Sequence, residues 1–347
     1  MNQRPPLPLP ADAVRRRLLA GCALGACVAS WPVAARERAG GVRLRESRAM
    51  MGTRVDIALQ GLHAQPLQVA LAASFARMAA LEAMMSHYAA TSRVAAINLM
   101  AGIAPVAVEP ELMQVLAMAR QVSRRSAGAF DVTIGSVGRW HFDPRDPRMP
   151  APGYIAAHLR DVDWRNLVLD ERAGTAYLTR RGMRIDLGGI AKLYILQAGL
   201  DVLRQHGVGQ ALVNGGGDVV ATSDAGDRPW RVGIRDPRQP ERLLGTIDLR
   251  EGFVASSGDY ERFFERDGRR YHHLIDPRTG YPAQGPRGVT LVGRDLAGVN
   301  GVGAAAMVLG ARPARELVLG TAGLEALIAA RDGDGWMTGG MRRAMRS

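Results

Sequence analysis

The chain has 347 residues, of which 47% are hydrophobic, so it is long enough to bury a sizeable core in one large domain or two small ones. Its formal net charge is +12 at pH 7, but the basic residues are scattered among acidic ones and only 5% of the residues are aromatic. Nucleic-acid binding needs clustered cations and aromatic faces for base stacking, so this composition argues against a nucleic-acid partner and indicates a solvated, arginine-rich surface.

Residues 1–35 have the three parts of an export signal. Three arginines at 15–17 precede a short apolar run at 18–30, and small residues lead to a predicted cleavage site after Ala35. The consecutive arginines also fit the twin-arginine pattern, which directs folded proteins to export. The apolar run is too short to cross a bilayer as a stable helix. The sequence therefore predicts a periplasmic protein whose mature domain covers residues 42–347.

Both cysteines of the chain, Cys22 and Cys27, lie in this leader. The residues before Cys27 resemble a lipoprotein box, so soluble export and lipid anchoring to the inner membrane through Cys27 are both open. In either case, the mature chain is predicted to have no disulfide, no thiolate metal site and no cysteine nucleophile.

After the leader, hydrophobic periodicity and turn residues predict strands interleaved with a few helices, without an internal repeat or a clear linker. This pattern favours a single mixed α+β domain. The predicted helices cover residues 66–88, 110–126, 190–205, 299–309 and 313–320, and an exposed proline-rich loop covers 143–153. The predicted strands cover residues 53–59, 167–169, 176–179, 183–186, 211–213, 230–234, 246–249, 253–256, 271–275 and 289–293.

Lys192 is the only lysine among the 45 basic residues, and it ends the motif Asp-Leu-Gly-Gly-Ile-Ala-Lys at residues 186–192. Gly188 and Gly189 join a predicted strand to a predicted helix, a geometry that directs backbone N–H groups and the helix dipole towards an anion. Because lysine is a compact point charge and arginine a wide fork, a tight phosphate site can require lysine. The motif predicts such a site, with an ordinary tight turn as the alternative. Glycines at 215–217 offer a second close approach, although alone they are more typical of a plain turn.

Seven motifs, in order along the chain, resemble those of the FAD:protein FMN transferase family, also called the ApbE or thiamine-biosynthesis-lipoprotein family. Each motif alone is weak, but together they span residues from about 50 to about 310, nearly the whole mature chain. The motifs lie at residues 51–53, 86–88 with Asn98, 128–133, 186–192, 213–218, 257–262 and 273–282.

The resemblance implies an α+β fold with several antiparallel strands and a few packed helices. It also implies an enzyme that moves FMN from FAD to a serine or threonine hydroxyl of an exported target protein and releases AMP, with a magnesium ion bridging the pyrophosphate. Asp259 and His273 are the candidate bases for that hydroxyl. The resemblance places eight residues at the FAD site: Met51, Tyr88, Ala129, Phe130, Asp131, Asp186, Lys192 and Ile275.

The sequence departs from the family pattern where the resemblance places the metal. The family has an aspartate and, four residues later, a threonine on one helix face, and Asn300 and Ala304 occupy these positions here. The backbone carbonyl near Gly189, a third ligand by resemblance, is retained, and Asp295 lies off this face. Because magnesium sites commonly use about one or two carboxylates, the sequence predicts a weakened magnesium site.

Two other functions remain open at this point. A flavin-binding protein without transferase activity would serve as a carrier or maturation factor for an exported redox protein. A metal-dependent FAD pyrophosphatase would use water in place of the acceptor hydroxyl. The transferase and the pyrophosphatase require the metal and the carrier does not, so the products formed from FAD discriminate among the three.

Overall fold

The computed structural model of the chain describes residues 36–38, 41–332 and 335–346. The predicted export signal at residues 1–35, with Cys22 and Cys27, lies outside these residues. The strands are β1 (Arg36–Arg38), β2 (Gly41–Met50), β3 (Thr53–Gly61), β4 (Val106–Ala107), β5 (Leu167–Asp170), β6 (Thr175–Leu178), β7 (Gln210–Gly215), β8 (Asp218–Thr222), β9 (Trp230–Arg235), β10 (Leu243–Leu249), β11 (Gly252–Gly258), β12 (Phe263–Arg266), β13 (Arg269–His272), β14 (Gly288–Gly293), β15 (Glu325–Ala329), β16 (Trp336–Met337) and β17 (Met345–Arg346).

The helices are fewer than the strands, and three additional 3-10 turns lie at Gly135–Val137, Leu159–Asp161 and Trp164–Asn166. The α-helices are α1 (Ala64–Met85), α2 (Arg93–Leu99), α3 (Pro110–Arg125), α4 (Pro152–His158), α5 (Ala191–Gln205), α6 (Leu296–Val299), α7 (Val302–Leu309), α8 (Ala311–Leu319) and α9 (Gly339–Ala344). This mixture of antiparallel strands and packed helices confirms the α+β fold class predicted from the sequence.

One large sheet organises the molecule. Its nine strands follow the order β1-β2-β3-β7-β8-β11-β14-β15-β16, and every neighbouring pair is antiparallel. Helices α1 and α5 pack against each other and against β2, β3, β7 and β8, while α7 packs on β11 and β14. Two short sheets, β4-β6-β5 and β12-β13, lie outside the large sheet. Both of them, like the large sheet, contribute residues to the hydrophobic clusters of the core.

A second layer covers part of the other face of the large sheet. The three-stranded sheet β17-β10-β9 contributes Val232, Ile234 and Ile247 to a hydrophobic cluster that includes Val219 of β8 and Val254 of β11. All five residues of β8 are therefore buried. A strand that is buried on both faces lacks alternation of polar and apolar side chains, which explains why the periodicity did not predict it.

Helix α1 is long and apolar enough, by length and composition alone, to pass a test for a membrane span, and it is the one such helix in the described part of the chain. Its side chains at Leu67, Leu71, Phe75, Met78 and Leu81 are nevertheless buried in the core. The helix predicted over residues 66–88 thus packs its apolar side chains into the core.

Four predicted elements differ from the observed ones. Residues 183–186 do not form a strand, since their one ladder contact is an isolated bridge between Ile134 and Arg184. The strand predicted at 271–275 ends at His272, and the loop predicted at 143–153 ends where Pro152 begins α4. The helix predicted at 299–309 is divided in two by Gly301, whose φ of +75° is left-handed and cannot continue an α-helix.

The turn between β7 and β8 should tolerate no side chain at Gly216. A Cβ there would lie 2.5 Å from Thr53 Oγ1, and φ is +62°. Gly207, after α5, has a similar φ of +76° but open space around it. We expect Gly207→Ala to lower the free energy of unfolding by about 1–2 kcal/mol through backbone strain. Gly216→Ala should cost about 1–3 kcal/mol more because of the clash. Urea denaturation of both variants measures the difference, and equal losses would contradict the close approach.

Candidate active site

A cavity of about 1020 Å³ opens between the first turn of α5, the start of β8, the segment after β13 and the loop after α3. Its lining includes aromatic and apolar side chains, among them Phe130, Trp140, Phe142, Tyr154 and Ile275. It also includes charged side chains of both signs: Glu82, Asp131, Asp186, Asp218 and Glu261, and Arg139, Arg184, Lys192 and Arg262. Ring systems of a ligand could pack against the first set, and negative charge on it would need the four cations of the second.

The structure brings most of the predicted site residues to this one cavity. Asp259 and Asn300 do not line it. The predicted residues that line it are Met51, Tyr88, Ala129, Phe130, Asp131, Asp186, Gly189, Lys192, His273, Ile275 and Ala304. Residues from more than 200 positions apart in the sequence, such as Met51 and His273, thus face the same space.

Lys192 faces the cavity from the first turn of α5. Its Nζ lies 2.9 Å from Asp218 Oδ2, and Asp218 Oδ1 also accepts a hydrogen bond from the Ser256 N–H. Lys192 therefore joins the start of α5 to the start of β8. Because its charge already has a carboxylate partner, Lys192 can contribute only part of that charge to an anionic ligand.

The backbone at Gly188 and Gly189 is less open to an anion than the sequence predicts. The Gly188 N–H donates to Asp186 Oδ1 at 2.7 Å, and the N–H groups of Ile190 and Ala191 both donate to the Leu187 carbonyl. Because these three N–H groups already donate hydrogen bonds within the motif, they are not free to bind an anion as the sequence predicts. Side chains must then supply most of the positive charge for any phosphate here.

Asp186 is paired with a histidine at the cavity. Its Oδ1 lies 3.2 Å from His87 Nδ1. Burial opposes ionisation of Asp186, but the hydrogen bond and charge of His87, together with the Gly188 N–H, lower the pKa of Asp186 overall. Tyr88, beside His87, is 61% exposed at the rim, and the guanidinium of Arg139 lies 5.0 Å from the centre of its ring.

The turn between β2 and β3 forms a strained corner of the cavity. Met51 has a φ of +53° and Gly52 a φ of +67°. The Met51 N–H donates to Glu82 Oε1 at 2.6 Å, which secures the turn to the last part of α1. Left-handed backbone at a non-glycine residue is unfavourable and is concentrated at functional sites, in keeping with the placement of Met51 at a ligand site.

Asp131 lines the cavity, but its carboxylate accepts hydrogen bonds from the surrounding protein. Oδ1 accepts hydrogen bonds from the Thr133 backbone and hydroxyl, and Oδ2 accepts one from the Trp164 N–H. Burial raises the pKa of Asp131, against the effect of these bonds. The carboxylate therefore orders the loop that carries Ala129 and Phe130 and has little capacity left for a ligand.

The two candidate bases have different surroundings. His273 lines the cavity, and its buried Nδ1 has no hydrogen-bond partner. Burial and the charge of Arg262, with smaller contributions from His272 and Lys192, lower the pKa of His273 from 6.5 to about 3. Asp259 is 1% exposed, away from the cavity, and lies 3.8 Å from Arg270. The geometry thus favours His273 as the group that meets a substrate.

The sequence profile of the ApbE family matches residues 51–328. The chain belongs to the ApbE family. It is 35% identical over 284 residues to the FAD:protein FMN transferase of Treponema pallidum, which covers 76% of this chain and 75% of that relative. Two solved ApbE structures have the same fold. The Thermotoga maritima ApbE protein superimposes with a TM-score of 0.79 at 29% identity, covering 88% of this chain and 100% of the other. The Pseudomonas stutzeri flavinyl transferase ApbE gives 0.75 at 25% identity, covering 88% and 98%.

The residues at the two metal positions of this ApbE chain do not fit a magnesium ion. Asn300 is 3% exposed, and its Nδ2 donates to the Ile190 carbonyl at 2.9 Å. The side chain of Ala304 has no atom that could bind a metal ion. Gly301 separates the two residues, since Asn300 ends α6 and Ala304 lies in α7. Asp295 uses its carboxylate to cap α6 through the Ala297 and Gly298 N–H groups. No cluster of three potential metal-ligating His, Cys, Asp or Glu side chains exists in residues 41–332 and 335–346.

Arg262 and Trp140 are among the residues of the ApbE cavity that were not predicted as site residues from the sequence. Arg262 lines the cavity with an exposed side chain, and it was predicted only as part of the motif at 257–262. Trp140 is 7% exposed, stacks with Phe142 and Tyr271, and has a buried Nε1 without a hydrogen-bond partner. The one signal for Arg262 was its place in that motif, and no pattern pointed to Trp140.

Acid should destabilise the protein partly through His273. Its pKa in the folded state is about 3, below the usual 6.5, so the unfolded state binds more protons below pH 6.5. The contribution is complete above that pH and falls as the pH drops towards 3, by at most about 1.4 kcal/mol per pH unit. Urea denaturation between pH 7 and 5 should show a smaller loss for His273→Asn than for the unaltered chain. An identical slope would contradict the buried, neutral imidazole.

Proposed function

We propose that this chain is an FAD:protein FMN transferase, which moves FMN from FAD to a serine or threonine hydroxyl of a target protein and releases AMP. The observation that carries the proposal is the single cavity in which an aromatic wall, the cations Lys192 and Arg262, and a neutral His273 meet. FAD has two ring systems joined by a pyrophosphate. Its rings can pack against the aromatic side chains, and its pyrophosphate can bind the cations. Membership of the ApbE family and the name of the Treponema pallidum relative support the same reaction.

The proposed reaction exchanges one phosphorus–oxygen bond for another. The acceptor oxygen attacks the phosphorus atom on the FMN side of the pyrophosphate. The bond from that phosphorus to the bridging oxygen breaks, and the bridging oxygen leaves as part of AMP. The hydroxyl proton passes to a base. Positioning of the reactants and electrostatic stabilisation by cations account for most of the catalysis in such transfers.

His273 is the base that we propose, because it lines the cavity and Asp259 does not. An imidazole with a pKa near 3 is neutral at pH 7 and able to accept a proton, but it is a weak base. Burial is the largest cause of this low pKa, and the positive charges of Arg262, His272 and Lys192 lower it further. A bound pyrophosphate would oppose these charges. The basicity of His273 should therefore rise when FAD is in place.

Magnesium, which the resemblance implies, stays a prediction. When bound, such an ion would polarise a phosphate oxygen and offset negative charge on the leaving phosphate. Because Asn300 and Ala304 supply neither a carboxylate nor a hydroxyl oxygen, the steps above depend on protein side chains alone.

Export and the partner protein are likewise proposals. The predicted signal at residues 1–35 supports action in the periplasm, either as a soluble protein or through a lipid anchor at Cys27. The partner would then be an exported flavin-accepting or redox protein.

An assay of products tests the proposed function. The mature chain is incubated with FAD and a threonine-containing acceptor peptide, with and without magnesium, and the products are separated by mass. AMP together with flavinylated peptide supports transfer. AMP with free FMN would instead indicate a pyrophosphatase, and intact, bound FAD would indicate a carrier.

A further inference from the structure

The carboxylates of the cavity already have partners within the protein. Glu82 accepts from the Met51 N–H, Asp186 pairs with His87, and Asp218 pairs with Lys192. Asp131 accepts from Thr133 and Trp164, and Glu261 lies 3.8 Å from Arg235. A divalent cation entering this cavity would compete with these partners for the carboxylate oxygens and would also have to lose part of its hydration.

Arg262, unlike these carboxylates, has no ion-pair partner within the described part of the chain. Six other arginines do pair with an acidic residue that is two positions away in the sequence. Those six pairs are Arg48–Glu46, Arg54–Asp56, Arg145–Asp143, Arg148–Asp146, Arg165–Asp163 and Arg278–Asp276. Arg262 thus presents an unneutralised cation to the cavity.

Arg262 lies close to several segments of the cavity wall. Its Nη1 lies 3.8 Å from where a Cβ on Gly52 would stand, over the strained turn between β2 and β3. Its charge also acts on His273, Asp186 and Tyr88, which come from three separate segments of the wall. A planar guanidinium can donate two parallel hydrogen bonds to a phosphate, which a point charge such as Lys192 cannot do.

We propose that Arg262, supported by Lys192, holds the phosphates of the flavin nucleotide in place of a divalent metal ion, so that this chain binds FAD without magnesium. The inference rests on the proposed function, because FAD is taken as the ligand. Three observations carry it: the unpaired Arg262, the N–H groups already used at Gly188–Ala191, and the amide and methyl groups at Asn300 and Ala304.

The test measures the Kd of FAD by calorimetry on the mature chain, once with EDTA and once with magnesium. We expect the two values to agree within about two-fold. Arg262→Gln should raise the Kd about 10- to 100-fold, as expected for loss of a charge-assisted hydrogen bond, and should weaken its dependence on salt. Arg262→Lys should recover part of the affinity, since it restores the charge without the fork.

Two further arginines serve as comparisons. Arg294→Gln removes an exposed arginine that does not line the cavity and should leave the Kd unchanged. Arg184→Gln removes another exposed arginine that does line it. A loss for Arg184→Gln larger than for Arg262→Gln would overturn the assignment to Arg262, as would equal Kd values for Arg262→Gln and Arg294→Gln.

Failure of this inference differs from failure of the proposed function. FAD that binds tightly with magnesium but more than tenfold more weakly with EDTA would overturn metal-free binding and leave the transferase proposal intact. No FAD binding under either condition would overturn both. In Asn300→Asp with Ala304→Thr, which restores the family's two side chains, we expect FAD affinity to become magnesium-dependent. No gain from magnesium in that variant would show that positions 300 and 304 do not face a metal site.

Discussion

Replacing His273 with asparagine should reduce the rate of FMN transfer about 10²- to 10⁴-fold, the usual contribution of a positioned base. Asparagine keeps much of the shape and polarity of the imidazole but cannot take up the hydroxyl proton. FAD affinity should change little, because Arg262 and Lys192 remain. The measurement is single-turnover formation of flavinylated peptide, alongside the Kd of FAD. A variant that loses FAD binding and transfer in parallel would show that His273 holds the substrate and is not the base.

Asp259→Asn is the matched control. Asp259 is buried away from the cavity beside Arg270, so this change should lower stability while leaving transfer within about threefold of the unaltered rate in the folded fraction. If His273→Asn transferred FMN rapidly and a folded Asp259→Asn did not transfer it at all, Asp259 and not His273 would be the base. The pH profile of kcat supplies a further check. In the complex with FAD, the pyrophosphate should raise the pKa of His273 above its value of about 3 in the free protein.

Replacing Lys192 with methionine should have two effects. Its ion pair with Asp218, at 2.9 Å, joins α5 to β8, and the side chains are 28% and 11% exposed. Loss of a partly buried pair that leaves a carboxylate behind should lower the free energy of unfolding by about 1–3 kcal/mol. FAD binding should also weaken about tenfold with EDTA present, because one of two cations near the pyrophosphate is gone.

The double variant Lys192→Met with Asp218→Asn separates these effects. Removing the orphaned carboxylate should restore much of the stability, but it cannot restore a cation to the ligand. Urea denaturation and the Kd of FAD in EDTA therefore respond differently. Unchanged FAD affinity in Lys192→Met would mean that the only lysine of the chain is a structural residue.

Much of the site was predictable because its residues lie in short motifs. The motifs at residues 51–53, 128–133, 186–192 and 273–282 all reach the same cavity, although no periodicity places them together. What the motifs could not reveal is how the polar atoms of each residue are used. Asp131 and Asp186 both line the cavity as predicted. Asp131, however, already accepts a hydrogen bond from the Thr133 hydroxyl, and Asp186 is already paired with His87.

The failures of prediction have local physical causes. The all-buried strand β8 has no alternation, and the expected strand at 183–186 makes a single bridge. Gly301 divides the predicted helix at 299–309, and the Asn300 side-chain amide donates to the Ile190 carbonyl. Arg262 was missed because its importance comes from having no ion-pair partner within the described part of the chain. Its sequence neighbours Asp259 and Glu261 give no sign of this.

The most direct test of the account is formation of AMP and flavinylated peptide from FAD by the mature chain in EDTA. The account predicts both products in equal amounts at a measurable rate, and a rate lower by at least tenfold in Arg262→Gln. Binding of FAD without any AMP, under conditions with and without magnesium, would contradict it.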